Sequence, residues 1–151
     1  MDFSYRRAGR RAPDRPAVLI QAVTEAAAAM RADVDALVLG GRSMGGRMCS
    51  MAVAGGLAAV GLVLVSYPLH PPGRPDRLRT EHLTDLHVPC LFVSGTRDAF
   101  GTRDELEAAT ADIPAPVTHH WIDGGDHGLR SSDSEVAAVV TAWLVDLAGQ
   151  R

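Results

Sequence analysis

The chain has 151 residues, of which 46% are hydrophobic and 22% charged, and its formal charge is −3. That is the size and balance of one globular domain spanning 1–151, and it excludes an intrinsically disordered chain, which would be poorer in apolar residues and more strongly charged. The charge also argues against nucleic acid as a partner, because neutralising phosphates requires a basic face.

All 15 basic residues are arginine, and the chain contains neither Lys nor Asn, as GC-rich bacterial coding would give. Cys49 and Cys90 each sit in an apolar run, so they read as buried thiols rather than a disulfide framework or a metal site. The start, Met-Asp-Phe-Ser-Tyr-Arg-Arg, has no long apolar core behind it, and a cytoplasmic address is the expectation.

In chain order, Phe3–Tyr5 reads as the tail of a strand and Arg6–Arg15 as an arginine-rich loop. Asp14 followed by Pro16 resembles a helix cap with proline in the first turn. The Ala-rich stretch to Arg31 is then helical, with Val18, Ile20, Ala22, Val23, Ala26 and Met30 on its apolar face. Asp35–Gly40 reads as a short buried strand, Gly45–Ala54 as a helix and Val60–Ser66 as a second strand. The uncharged run from Met48 to Leu69 is long enough to span a bilayer. Gly55 and Gly56 interrupt it, however, and the composition turns β-branched after them, so helix, turn and buried strand explain it better and no membrane partner is expected.

Tyr67–Thr80 is a proline-rich loop, Val88–Val93 a third strand, Arg103–Ala111 a helix and Val117–Ile122 a fourth strand. A helix from Asp133 to about Ala148, capped by Ser132 or Asp133, closes the chain, with Val136, Val139, Val140, Trp143, Leu144 and Leu147 on one side. Strands alternating with helices, most of the strands continuous apolar runs, argue an α/β fold: three α/β/α layers around a mostly parallel sheet.

The chemistry concentrates at Gly41-Arg42-Ser43-Met44-Gly45, a Gly-x-Ser-x-Gly pentapeptide between a strand and a helix. Such a turn holds its serine in a strained conformation that exposes the hydroxyl, while the helix N-terminus and the Met44 N–H favour negative charge beside it. A serine needs a base, and the base needs an orienting group. Asp98 lies just past the third strand and His127 in a Gly-rich loop past the fourth, both at the carboxyl side of the sheet where such folds bind ligands. Asp98 could instead pair with Arg97 or Arg103, and His127 could be a surface histidine. Asp76 is the rival acid, farther from its strand and behind several prolines. His119 and His120 fall within a strand and read as structural; His82 and His87 point to nothing specific. No ligand spacing of the zinc type occurs, so no metal is expected.

Gly40–Arg47, Ser66–Gly73, Val93–Asp98 and Gly124–His127 together resemble the dienelactone-hydrolase-related KANSL/Tex group of small α/β-hydrolases over nearly the whole chain. The resemblance implies an α/β-hydrolase fold and a serine hydrolase acting on a small-molecule acyl substrate without a cofactor. It makes Ser43 the nucleophile, Asp98 the acid and His127 the base. Members of the group begin with a further strand and a His-Gly-Ala-Gly-like loop that donates a second oxyanion N–H. This sequence has neither ahead of Asp2, so the expected fold is N-terminally truncated, with an open sheet edge through which two copies could pair. Loss of one oxyanion donor costs about 2.7–4 kcal/mol of transition-state stabilisation. The Tyr67–Pro75 loop, with His70, either lines the acyl pocket or is a rigid connector. The competing function is a non-catalytic interaction protein that keeps this fold, which Ser43→Ala would leave with its partners.

Overall fold

A computed structural model describes residues 1–150. Its centre is a four-stranded parallel sheet in the order β1 (Val38–Arg42), β2 (Gly61–Val65), β3 (Cys90–Gly95), β4 (Val117–Ile122). The helices are α1 (Ser4–Arg7), α2 (Pro16–Arg31), α3 (Met44–Ala54), α4 (Arg103–Thr110) and α5 (Asp133–Gly149), with a 3-10 turn at Leu83–Asp85.

Side-chain alternation along the strands divides the core in two. Leu62, Leu64, Cys90 and Phe92 face a layer holding Leu19, Val23 and Ala27 of α2, Met48, Cys49, Ala52 and Val53 of α3, and Leu106 of α4. Val63, Val65, Leu91, Val93 and Ile122 face the other way, onto Val136, Val139, Val140 and Trp143 of α5. The central strands β2 and β3 are buried along their whole length, which is why their sequences are continuous apolar runs. Each fully buried Leu or Phe contributes about 1.5–3 kcal/mol of hydrophobic stabilisation.

Some boundaries differ from the sequence expectation. The first strand is Val38–Arg42 rather than Asp35–Gly40, and the third runs on to Gly95. Glycines read locally as breakers. Here they are paired sheet residues: Gly40 lies opposite Val63 and Gly41 opposite Leu64. A Cβ on Gly40 would stand 2.7 Å from the Val63 carbonyl oxygen, so close strand approach requires glycine there.

At the N-terminus, Ser4–Arg7 is a helical turn instead of the tail of a strand. Asp14 does not cap α2: the N-cap is Arg15, because the Asp14 carboxylate is taken by the Arg10 guanidinium (2.8 Å) and the Ser4 hydroxyl (3.2 Å). On α2 the buried stripe is Leu19, Val23 and Ala27, whereas Val18 and Met30 are exposed.

The uncharged run divides into the end of α3, the Gly55–Gly56 turn and β2, and no helix among the described residues is long and apolar enough to cross a membrane. Both cysteines are buried and unpaired, and burial pushes their thiols up, Cys49 to about 11 and Cys90 to about 12.

A partly buried polar pair joins α3 to the start of the 3-10 turn. Ser50 of α3 donates to the Arg47 carbonyl oxygen (2.9 Å) and sits 2.8 Å from His82 Nε2. Burial, reinforced by the charge of Arg47, pushes His82 down to about 4. An unfolded histidine takes up its proton near pH 6.5, so acid favours the unfolded chain across the interval between those values. Stability is therefore expected to fall as pH drops from 6.5 through 4. Urea midpoints at pH 7.5 and 4.5 check this, and His82→Gln should make the dependence shallower.

Candidate active site

Ser43 stands between the last residue of β1 and the first of α3 with φ 52° and ψ −122°, a left-handed conformation that a side chain rarely adopts. Its N–H donates to the Val65 carbonyl oxygen (2.8 Å), which pins the turn to the next strand while the side chain turns away. The tightness of this turn comes from a particular pair of glycines. A Cβ on Gly41 would lie 2.7 Å from the Gly46 nitrogen, and one on Gly46 would lie 2.6 Å from the Gly41 carbonyl oxygen. Gly45, the last residue of the pentapeptide, has nothing within 4 Å of such a position. Gly46→Ala is therefore expected to lower stability by about 2 kcal/mol. Gly45→Ala should be neutral or stabilising by up to about 1 kcal/mol, since α3 exchanges a helical glycine for alanine. Denaturant midpoints of the two variants separate these outcomes.

The three residues expected to act together are brought together. The Ser43 hydroxyl lies 2.8 Å from His127 Nε2, and His127 Nδ1 lies 2.8 and 3.0 Å from the two Asp98 oxygens. A carboxylate only accepts, so the proton is assigned to Nδ1, which leaves Nε2 free to accept from Ser43. Asp98 is buried at 4% exposure, and its Oδ1 also accepts the Phe100 N–H (2.8 Å). The alternative pairings do not occur: Arg97 donates to the Gly124 carbonyl oxygen (2.9 and 2.6 Å), and Arg103 pairs with Glu107 (2.9 Å). The rival Asp76 is an exposed partner of Arg74 (3.1 Å), whose guanidinium holds its carboxyl below the usual range.

Met44, Gly45 and Gly46 open α3, and first-turn amides have no carbonyl within their own helix to bond. These donors and the positive end of α3 lie directly behind Ser43, where they favour an anionic oxygen. A cavity of about 780 Å³ runs from Ser43, Met44 and Gly45 along the edge of β1, between that strand, α2 and Met1–Arg6. Val23, Ala27, Leu37 and Leu39 give it a largely apolar wall.

His70 is not among the residues lining this cavity. It is 5% exposed, with Nδ1 2.8 Å from the Pro71 carbonyl oxygen and Nε2 3.4 Å from Glu105. Its N–H donates to the Phe100 carbonyl oxygen (3.0 Å), which ties the proline-rich loop to the Asp98 loop. Of the two strand histidines, His119 is stacked between Phe92 and Trp121, and His120 meets Glu135 (3.0 Å).

Several residues that sequence reasoning passed over hold the histidine loop. Arg42, beside Ser43, reaches across the sheet to donate to the Gly128 carbonyl oxygen (2.9 Å) and approaches Asp133 at 3.4 Å. Thr96 Oγ1 accepts the Gly124 N–H (2.8 Å). The Phe100 ring lies against the His127 ring, with centroids 3.9 Å apart. The sequence offered no signal for these contacts beyond the placement of the three residues at or just past the carboxyl ends of strands.

Comparison with known proteins agrees with this architecture. A family model described as an alpha/beta hydrolase domain matches residues 1–143. Among solved structures, an alpha-beta serine hydrolase homologue from Coxiella burnetii superposes with a TM-score of 0.68 at 16% identity, covering 91% of this chain and 62% of that one. Est1E from Butyrivibrio proteoclasticus gives 0.73 at 13% identity, covering 90% and 72% of the two chains. A monoacylglycerol lipase from Paleococcus ferrophilus gives 0.75 at 11% identity, covering 91% and 77%. At such identities the likeness is one of fold, and this chain spans less than two thirds of the Coxiella protein's length. With four parallel strands flanked by helices and a family match over nearly its whole length, the chain belongs to the alpha/beta hydrolase domain family.

Proposed function

We propose that this protein is a serine hydrolase that cleaves an ester, thioester or similar acyl bond of a small molecule. The observation that supports this reading is the unbroken line of hydrogen bonds from the Ser43 hydroxyl through His127 to the buried Asp98. Ser43 Oγ attacks the acyl carbon as its proton passes to His127 Nε2. The carbonyl oxygen becomes an oxyanion that accepts the Met44 N–H. Collapse of this intermediate breaks the bond to the alcohol or thiol, which leaves with the proton from Nε2. Water then attacks the acyl-serine by the same route, giving the acid and regenerating Ser43. Asp98 holds Nδ1–H and stabilises the imidazolium formed at each stage. These steps draw on side chains and backbone alone. Within the family, the runs Gly40–Arg47, Ser66–Gly73, Val93–Asp98 and Gly124–His127 favour placement in the KANSL/Tex-like group.

The test is labelling by a fluorophosphonate probe, followed by intact mass. One adduct per chain is expected, absent from Ser43→Ala. An adduct that persists in that variant, or none on the folded wild-type chain, overturns the proposal in favour of an interaction protein that keeps the fold.

A further inference from the structure

We propose that Phe100 is the positioning residue of the site, holding the His127 ring in the plane from which it can exchange a proton with Ser43; this rests on the reading of Ser43, His127 and Asp98 given above. His127 sits in a glycine-rich loop whose backbone Arg42, Thr96 and Arg97 hold at Gly124 and Gly128, which leaves the imidazole ring itself to be restrained by its own contacts. Its ring is restrained at two points, Nε2 by Ser43 and Nδ1 by Asp98. Hydrogen bonds at opposite nitrogens fix the line joining them but leave tilt of the ring about that line soft. Phe100 supplies the missing restraint, its ring stacked flat on the imidazole at 3.9 Å between centroids and 25° between planes.

The backbone of Phe100 makes the device rigid. Its N–H donates to Asp98 Oδ1 (2.8 Å), so one residue orients both the acid and the base. Its carbonyl oxygen accepts the His70 N–H (3.0 Å), and the following residue, Gly101, packs so close to Leu69 that a Cβ there would stand 3.0 Å from the leucine Cβ. The ring is therefore anchored to Leu69 and His70, in the buried start of the proline-rich loop, and not to the glycine loop it steadies. A tilt that displaces a reacting nitrogen by about 1 Å can cost up to about 100-fold in rate.

Phe100→Leu keeps an apolar side chain but removes the flat face, and Phe100→Tyr restores the face. With a p-nitrophenyl acyl ester, Phe100→Leu is expected to lower kcat by about 10- to 100-fold with KM nearly unchanged, and Phe100→Tyr to recover most of the loss. The strongly downfield proton resonance of His127 Nδ1–H should be present in the wild-type chain and in Phe100→Tyr, and broadened away in Phe100→Leu. A kcat for Phe100→Leu within about twofold of wild type overturns the proposal. So does an unchanged resonance in that variant, or a Phe100→Tyr variant as impaired as Phe100→Leu. The resonance needs no turnover. If the wild-type chain fails to hydrolyse esters while the resonance still depends on the flat ring, the hydrolase reading falls and the positioning role stands.

Discussion

Asp98→Asn is expected to lower kcat by about 10⁴ while KM moves only a few-fold. The reason lies in how the carboxylate is held. Oδ1 accepts the Phe100 N–H, so an asparagine in its place would present its carbonyl oxygen to that amide and its NH2 group to His127 Nδ1. Nδ1 would then have to accept, its proton would move to Nε2, and Nε2 would donate to Ser43 instead of taking the serine proton. The residue has nearly the same shape, so folding should survive. Steady-state kinetics on an acyl ester, alongside the rate of fluorophosphonate labelling, checks this. A loss of less than about tenfold would mean that the Asp98–His127 contact does not set the tautomer.

The second large effect is structural. Gly95→Ala is expected to destabilise the chain by about 3 kcal/mol and to separate Asp98 from His127. Gly95 ends β3 beneath the Gly124–Gly125 turn, and a Cβ there would run into the Gly125 carbonyl group and stand 2.9 Å from the Asp126 carbonyl oxygen. Both obstacles are backbone, so relief requires parting the end of β3 from the turn that carries His127. The urea midpoint should fall and labelling of Ser43 should slow in the same variant. Gly149→Ala, with nothing within 4 Å of the new carbon, is the control that should leave labelling unchanged and the midpoint no lower.

What was legible in the sequence was chemical and local. The alternation of helices and strands and the serine turn follow from periodicity and from glycine placement, and the placing of Asp98 and His127 past later strands matches the order that the resemblance implies. The carboxyl boundaries of β1 and β3 read short for one reason: the sheet continues through Gly41, Ser94 and Gly95, residue types that read as loop until a neighbouring strand is present to pair them. Asp14 fails as a cap for a related reason: its sequence neighbourhood suggests a cap, but Arg10 and Ser4 are nearer competitors in space.

The sequence alone determined which residue types stand at the ends of which strands, because turn chemistry and hydrophobic period act over a few residues. Tertiary structure decided the pairings. It selected His127 from six histidines, set the backbone of Gly45 and Gly46 against Gly41, buried His70 beside the Phe100 carbonyl, and laid the Phe100 ring on the imidazole. Each of these depends on strand register and on loops far apart in the chain meeting at the carboxyl end of the sheet, and no local pattern carries that distance.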